Sequence, residues 1–225
     1  MTFDTQTKDS TLENLLKEVP RQIESLRSIR ETFLTDAVLL GEIPSPTFGE
    51  KDRIRLVIDR FRENGLQDPT LDEFGNASGI VQGSSGNSTI LVMAHADSVF
   101  SADTRHVLEV GSDFITGPGI ADNAIGLAAV VALPKLLSHL NIKFKDDLLL
   151  VANVKSLGRA NMEGTRGFLE TMSRPTKAGI CVEGATQGRL SYSGLGTLRA
   201  QINLNIPSDF YWSSFGSACA ISLLN

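Results

Sequence analysis

Thr89-Ile-Leu-Val-Met-Ala-His-Ala-Asp97 is the stretch on which the fold turns. Its apolar core, Leu91–Ala94, has strand length and no alternation with polar residues, the pattern of a strand covered on both faces. It ends abruptly on a histidine and an aspartate. Leu148-Leu-Leu-Val-Ala152 has the same character, and Ala178–Val182 reads as a third buried strand running into Glu183-Gly184. Between the first two lies Asn123–His139, whose small and aliphatic residues predict a buried helix, and Glu163–Thr171 predicts another. Strands alternating with helices imply an α/β fold in three α/β/α layers, an open sheet between helices.

Working outward, Ser78–Gln82 reads as a short strand joined to the first by the turn Gly83-Ser-Ser-Gly-Asn87. Lys51–Glu63 predicts a helix stopped by Asn64-Gly65, preceded by the capping loop Ile43-Pro-Ser-Pro-Thr-Phe-Gly-Glu50. From Thr11 to Phe33 apolar residues recur at helical spacing, with Pro20 expected to divide the helix. Residues 1–10 are polar and expected to be a flexible end. After Glu183 the character changes: Arg189–Ser193 and Thr197–Ile206 alternate like antiparallel strands, and Phe215–Leu224 begins a helix. The expected organisation is therefore a catalytic-type domain over 11–195 and the start of a second, α+β domain over 196–225.

Composition narrows the function. Of 225 residues, 26 are acidic and 21 basic, a net charge of −5 without a basic cluster, which argues against nucleic-acid binding. The aromatic share of 6% argues against base-stacking platforms. Two cysteines, Cys181 and Cys219, make no disulfide framework and read as a pair of buried thiols in a reducing compartment. The N-terminus lacks the basic start and apolar core of a signal peptide, and the apolar run Ile125–Leu133 ends at Pro134, too short to span a bilayer. These features predict a soluble, cytoplasmic chain with no membrane or nucleic-acid partner.

Chemistry gathers past the carboxyl ends of strands in an open α/β sheet. Three such places carry candidate metal ligands: His95 after the first strand, Asp122 in the Gly117-Pro-Gly-Ile-Ala-Asp-Asn123 loop that opens the buried helix, and Glu183 after the third strand. One imidazole and two carboxylates suit a zinc shell, and Asp97 is placed to accept the imidazole's other N–H. Each has an ordinary reading too: a hydrogen-bonded surface histidine, an N-cap aspartate, a solvated strand end. The combination outweighs them.

These stretches, with Ile43–Glu50, Met93–Phe100, Val182-Glu-Gly184 and Phe215-Gly-Ser217, resemble the zinc exopeptidases and deacylases that include glutamate carboxypeptidase, aminoacylase, acetylornithine deacetylase and peptidase T. The resemblance implies a zinc-exopeptidase catalytic domain with a partial lid, acting on a small peptide or N-acyl amino acid. It implies that His95 and Glu183 bind one metal, that Asp122 bridges to a second, that Asp97 orients His95, and that the Asp122–Asn123 peptide bond is cis. It also exposes departures. Where the family has Gly-Glu-Glu-Gly, with the general base and a ligand of the second metal, this chain has Lys155-Ser156-Leu157-Gly158. Ser156 thus stands where the base would be. Phe210 stands where the lid histidine would be, and the histidine completing the second site has no convincing counterpart in His106 or His139. The expectation is a truncated, degenerate relative: one zinc on His95, Asp122 and Glu183, the second site lost, little or no amide hydrolysis, and self-association through a face left uncovered. The alternatives are an active single-zinc amide hydrolase and a non-catalytic binding module. Lys155 itself reads as a solvent-facing lysine.

Overall fold

The computed structural model describes residues 5–184, 186, 188–194, 196 and 202–205, which fall into two units divided between residues 187 and 188. The first unit is the α/β domain. In chain order it contains α1 (Thr5–Leu26), a 3₁₀ turn (Arg27–Ile29), α2 (Arg30–Glu42), α3 (Lys51–Glu63), β1 (Gln67–Leu71), β2 (Ala77–Val81), β3 (Thr89–His95), β4 (Glu109–Val110), β5 (Ile115–Thr116), α4 (Ile125–His139), β6 (Asp147–Asn153), α5 (Glu163–Thr171) and β7 (Thr176–Cys181). The main sheet has the order β1-β2-β6-β3-β7, while β4 and β5 form a separate antiparallel pair. β3 runs parallel to both β6 and β7, and the β1 and β2 strands are antiparallel additions on the far side of β6.

Alternation along the central strands divides the core into two layers. Val92, Ala94, Leu148, Leu150 and Ala152 face one way and pack with Leu40 of α2, Phe61 of α3 and Leu127 and Val131 of α4. Leu91, Met93, Leu149 and Val151 face the other way and pack with Phe168 of α5. The three α/β/α layers read from the sequence are present. Helix α3 has the expected bounds, and Gly65, at φ 70°, lets Leu66 N–H return to the Phe61 carbonyl at 3.1 Å and close the helix end. The stretch Ile120–His139 is long and apolar enough to cross a membrane by composition alone, but it supplies the central helix of this core, with Leu127, Val130 and Val131 buried.

β2 and β3 flank the 83–87 turn as read, and β6, whose place the sequence left open, lies between them, hydrogen-bonded to both. Several local expectations are corrected. The segment after β6 returns to the opposite edge, so among the described residues β7 borders only β3, and all six of its residues, Cys181 with its thiol among them, are exposed rather than buried. Strand β1 and the β4–β5 pair were not foreseen. Helix α1 begins at Thr5, inside the segment expected to be flexible, and runs through Pro20; the break falls at Arg27–Ile29 instead. Pro20 is exposed, so water can satisfy the carbonyl that its missing N–H leaves free. In the second unit, residues 188–194 are exposed and carry no strand, so the Arg189–Ser193 strand is absent. Most of the 197–225 region, with Phe210, Trp212, Phe215–Ser217 and Cys219, lies outside the described residues.

Candidate metal centre

The parallel strands β3, β6 and β7 end on one rim. β3 closes with His95, opposite Asn153 of β6 in the sheet register, and β7 leads through Val182 to Glu183. The loop before α4 reaches the same rim through Gly119, at φ 74°, and delivers Asp122. The Asp122–Asn123 bond is cis, as the resemblance implied.

His95 is 7% exposed, and its Nε2 lies 3.0 Å from Asp122 Oδ1 and 3.6 Å from Glu183 Oε2. The two carboxylates are half-exposed and open to solvent on one side. The three ligand atoms lie within 4.8 Å of one another, and this is the one cluster of its kind among the described residues. Ligands about 2.0–2.1 Å from a tetrahedral zinc stand about 3.3 Å apart. The two measured separations bracket that value, so the donor set could hold such an ion with a position left open.

Nδ1 of His95 lies 2.9 Å from the main-chain carbonyl of Asp97 and 3.4 Å from its carboxylate Oδ1. A donating Nδ1 leaves the Nε2 lone pair directed at the acidic pair. The orienting acceptor is therefore first the Asp97 carbonyl, with the carboxylate behind it. Burial alone would lower the His95 pKa, but hydrogen bonds and charge from Asp97 and Glu183 outweigh it and raise the pKa to about 10. The rim is built to hold positive charge.

The Asp97 carboxylate has a further task. Fully buried, its Oδ2 accepts the Thr47 hydroxyl and the backbone N–H groups of Ser156 and Leu157, each at 2.9 Å. Burial opposes its ionisation, but the His95, Leu157 and Thr47 hydrogen bonds prevail and hold its pKa below the ordinary carboxylate value. Beneath it lies the buried Arg53, donating to the carbonyls of Ala96 at 2.9 Å and Ile43 at 2.6 Å. Desolvation lowers the Arg53 pKa to about 10 against the pull of Asp97, which leaves a cation at neutral pH. Glu50 accepts the N–H groups of Phe48 and Lys155, and Ser45 donates to the Ala96 carbonyl. The Ile43–Glu50 loop is thus a brace for the metal rim.

Asn123, also fully buried, brackets Glu183. Its amide donates to the Val182 carbonyl at 2.8 Å and accepts the Gly184 N–H at 3.0 Å. A Cβ on Gly126 would collide with the Asn123 side chain, and one on Gly184 would strike Ile125 and the Ala121 carbonyl. Both glycines are dictated by close approach. Neither Asn123 nor Arg53 was singled out by sequence. The adjacency of Asn123 to Asp122 was the available signal for the first, and an arginine within an amphipathic helix gives none.

The 155–157 segment carries no carboxylate. Lys155, at φ 53°, pairs through Nζ with Glu163 Oε1 at 2.9 Å rather than facing solvent alone. Ser156 Oγ receives the Asn153 amide at 2.7 Å. Glu163 is committed to that lysine. His106 is buried and bonded to the Ser101 carbonyl, and His139 closes α4 against Ser25 and Ser28; neither joins the cluster.

Residues 76–155 match peptidase family M28. No curated protein matches the chain. Among solved structures, the dipeptidase Dug1p from Saccharomyces cerevisiae aligns at 12% identity and TM-score 0.60, covering 72% of this chain and 40% of its own. Aminopeptidase PepT from Bacillus cereus aligns at 19% identity and TM-score 0.56, covering 68% and 43%. The Bacillus subtilis protein YxeP, a dinuclear metal-binding peptidase of the M20 family, aligns at 13% identity and TM-score 0.51, covering 68% and 43%. The chain spans about two fifths of the length of these relatives. The resemblance to the zinc peptidases and deacylases stands: one peptidase family is matched over 76–155, and the fold is that of peptidase catalytic domains.

Proposed function

We propose that this chain is a peptidase-derived domain that binds one zinc ion through His95, Asp122 and Glu183 and hydrolyses amides slowly or not at all. The observation that carries the reading is the Lys155-Ser156-Leu157 segment. The backbone N–H groups of Ser156 and Leu157 are pinned by Asp97, its lysine is paired with Glu163, and it offers the rim no carboxylate. When bound, zinc supplies Lewis acidity toward a carbonyl oxygen. The protein's own part would be to fix the Nε2 of His95 through Asp97 and to hold Glu183 through Asn123. A proton acceptor at 156 is missing, and a positioned general base typically contributes roughly 10²–10⁴-fold. The relatives are peptidases acting on peptides, which supports a small peptide as the ligand of this rim.

Metal analysis after dialysis, paired with a dipeptide hydrolysis assay, tests the reading. The expected result is one zinc per chain in the wild type, none in His95→Ala, and turnover at background. Replacing Ser156 and Leu157 together by glutamate should not restore turnover, because groups that act as one catalytic unit are strongly non-additive. Brisk dipeptide cleavage by the wild type, or zinc retained by His95→Ala, refutes it.

A further inference from the structure

Asn153 stands directly across the sheet from His95, and its amide NH₂ is shared between two hydroxyls: Ser156 Oγ at 2.7 Å and Thr165 Oγ1 at 3.0 Å. A hydroxyl that accepts a hydrogen bond keeps its own O–H to give away. Among the described residues no acceptor takes either one. Thr165 and Asn153 are buried and Ser156 is half-buried, so neither hydroxyl stands fully in bulk water. Both open on a cavity of about 70 Å³ that His95 and Glu183 also line, with Met93 and Met162 as apolar walls. At about 30 Å³ per water molecule, that space suits a group the size of a carboxylate or an amide carbonyl.

We propose that Ser156 and Thr165, set by the positioning residue Asn153, form a subsite for an acceptor oxygen, the carboxylate or amide carbonyl of a ligand that also reaches the His95–Asp122–Glu183 rim. The polarity of this corner is the argument. The 155–157 segment brings no carboxylate to this corner, and two hydroxyls with O–H groups left to give suit the electron-rich end of an organic ligand. Asn153 acts at one remove, by occupying one lone pair on each hydroxyl and leaving each O–H to be donated to a ligand. For an anionic ligand the proposal rests on the zinc reading, because a bare Glu183 would repel a carboxylate; a neutral amide carbonyl needs no such counter-charge.

The test is an NMR titration of the full chain with acetate and with acetamide, zinc-loaded and metal-free, and with zinc content measured for every variant. The variants are Ser156→Ala, Thr165→Val, their double, and Thr165→Ser, which keeps the hydroxyl. Acetate should bind the zinc-loaded wild type. Each lost hydroxyl should weaken it about tenfold, as expected for a hydrogen bond to a charged acceptor. Thr165→Ser should bind like the wild type, and zinc content should be unchanged throughout. Acetate and acetamide binding the double variant as well as the wild type overturns the subsite, since the ion or the general surface would then be holding the probe; so does a wild type that binds neither. Should the protein take up no zinc, the reading of the rim fails by itself, and hydroxyl-dependent acetamide binding to the metal-free protein still decides the subsite.

Discussion

Asn123 sets the separation of two carboxylates while contributing no ligand atom. Its peptide neighbour is Asp122, and its side chain grips the backbone on both sides of Glu183. Asn123→Ala should therefore weaken zinc binding about 10–100-fold, the usual range for outer partners of a metal site, when measured by competition with a chelating dye. It should also destabilise the metal-free protein by about 1 kcal/mol, because a half-buried carbonyl and a half-buried N–H lose their partners. Asn123→Asp, which can still accept from Gly184 N–H but cannot donate to Val182, should fall between. At His95 the sign of the pH dependence is fixed by a folded pKa of about 10 against an ordinary 6.5. Its folded state holds a proton that the unfolded state releases, so the stabilisation is complete below pH 6.5 and lost as pH rises through 10. Thermal melts of the metal-free protein should fall across that window, and His95→Gln should remove the dependence. A melting temperature rising from pH 7 to 10 contradicts the assignment.

At the scale of elements, the junction of the β1–β2 turn, the end of β6 and the start of α5 depends on Asn76. Fully buried, it donates to Asp72 and to the Gly164 carbonyl and accepts the Val154 N–H. Helix α5 sits so close that a Cβ on Gly164 would run into the Val154 carbonyl and the Asn76 side chain. Gly164→Ala should cost about 1–3 kcal/mol in urea denaturation, the range for overpacking, despite alanine's better helix propensity. A stabilised variant would show that α5 can shift freely. Such junctions mark the boundary of what the sequence discloses. Helices α3 and α5 and the core of β3 and β6 were legible because their apolar spacing and end signals are local. His95, Asp122 and Glu183 were legible because chemistry-bearing residues stand at element ends. The insertion of β6 between β2 and β3 was not, since a local turn gives no sign that a strand some sixty residues later comes between. The exposure of β7 was hidden for a related reason: apolar composition shows what a strand could bury, not which neighbours reach it. Arg53 and Asn123 act across distant segments, and no periodicity announces such contacts.

At the scale of the molecule, the main sheet is protected unevenly. β6 and β3 are buried at its centre, whereas β7 is a border strand with Ile180 52% exposed. Open borders carrying apolar side chains invite pairing with another chain. Sedimentation velocity should show concentration-dependent association, relieved by Ile180→Lys without loss of zinc. A wild type that stays monomeric at high concentration counts against this.

The late arrival of β6 has a bearing on synthesis. A ribosome that has released the chain only as far as Lys145 has delivered β2 and β3 but not the strand that joins them. Until Asp147–Asn153 emerges, the segment Thr89–His95 is a naked apolar ribbon of high β propensity, the kind of stretch that holdase chaperones shield and that seeds aggregates when they are absent. Nascent chains arrested before that point should be protease-sensitive throughout the 77–95 region, and protection should appear in one step once β6 is free to enter. The joining of β2 and β3 into one sheet thus waits for a strand translated more than fifty residues after β3.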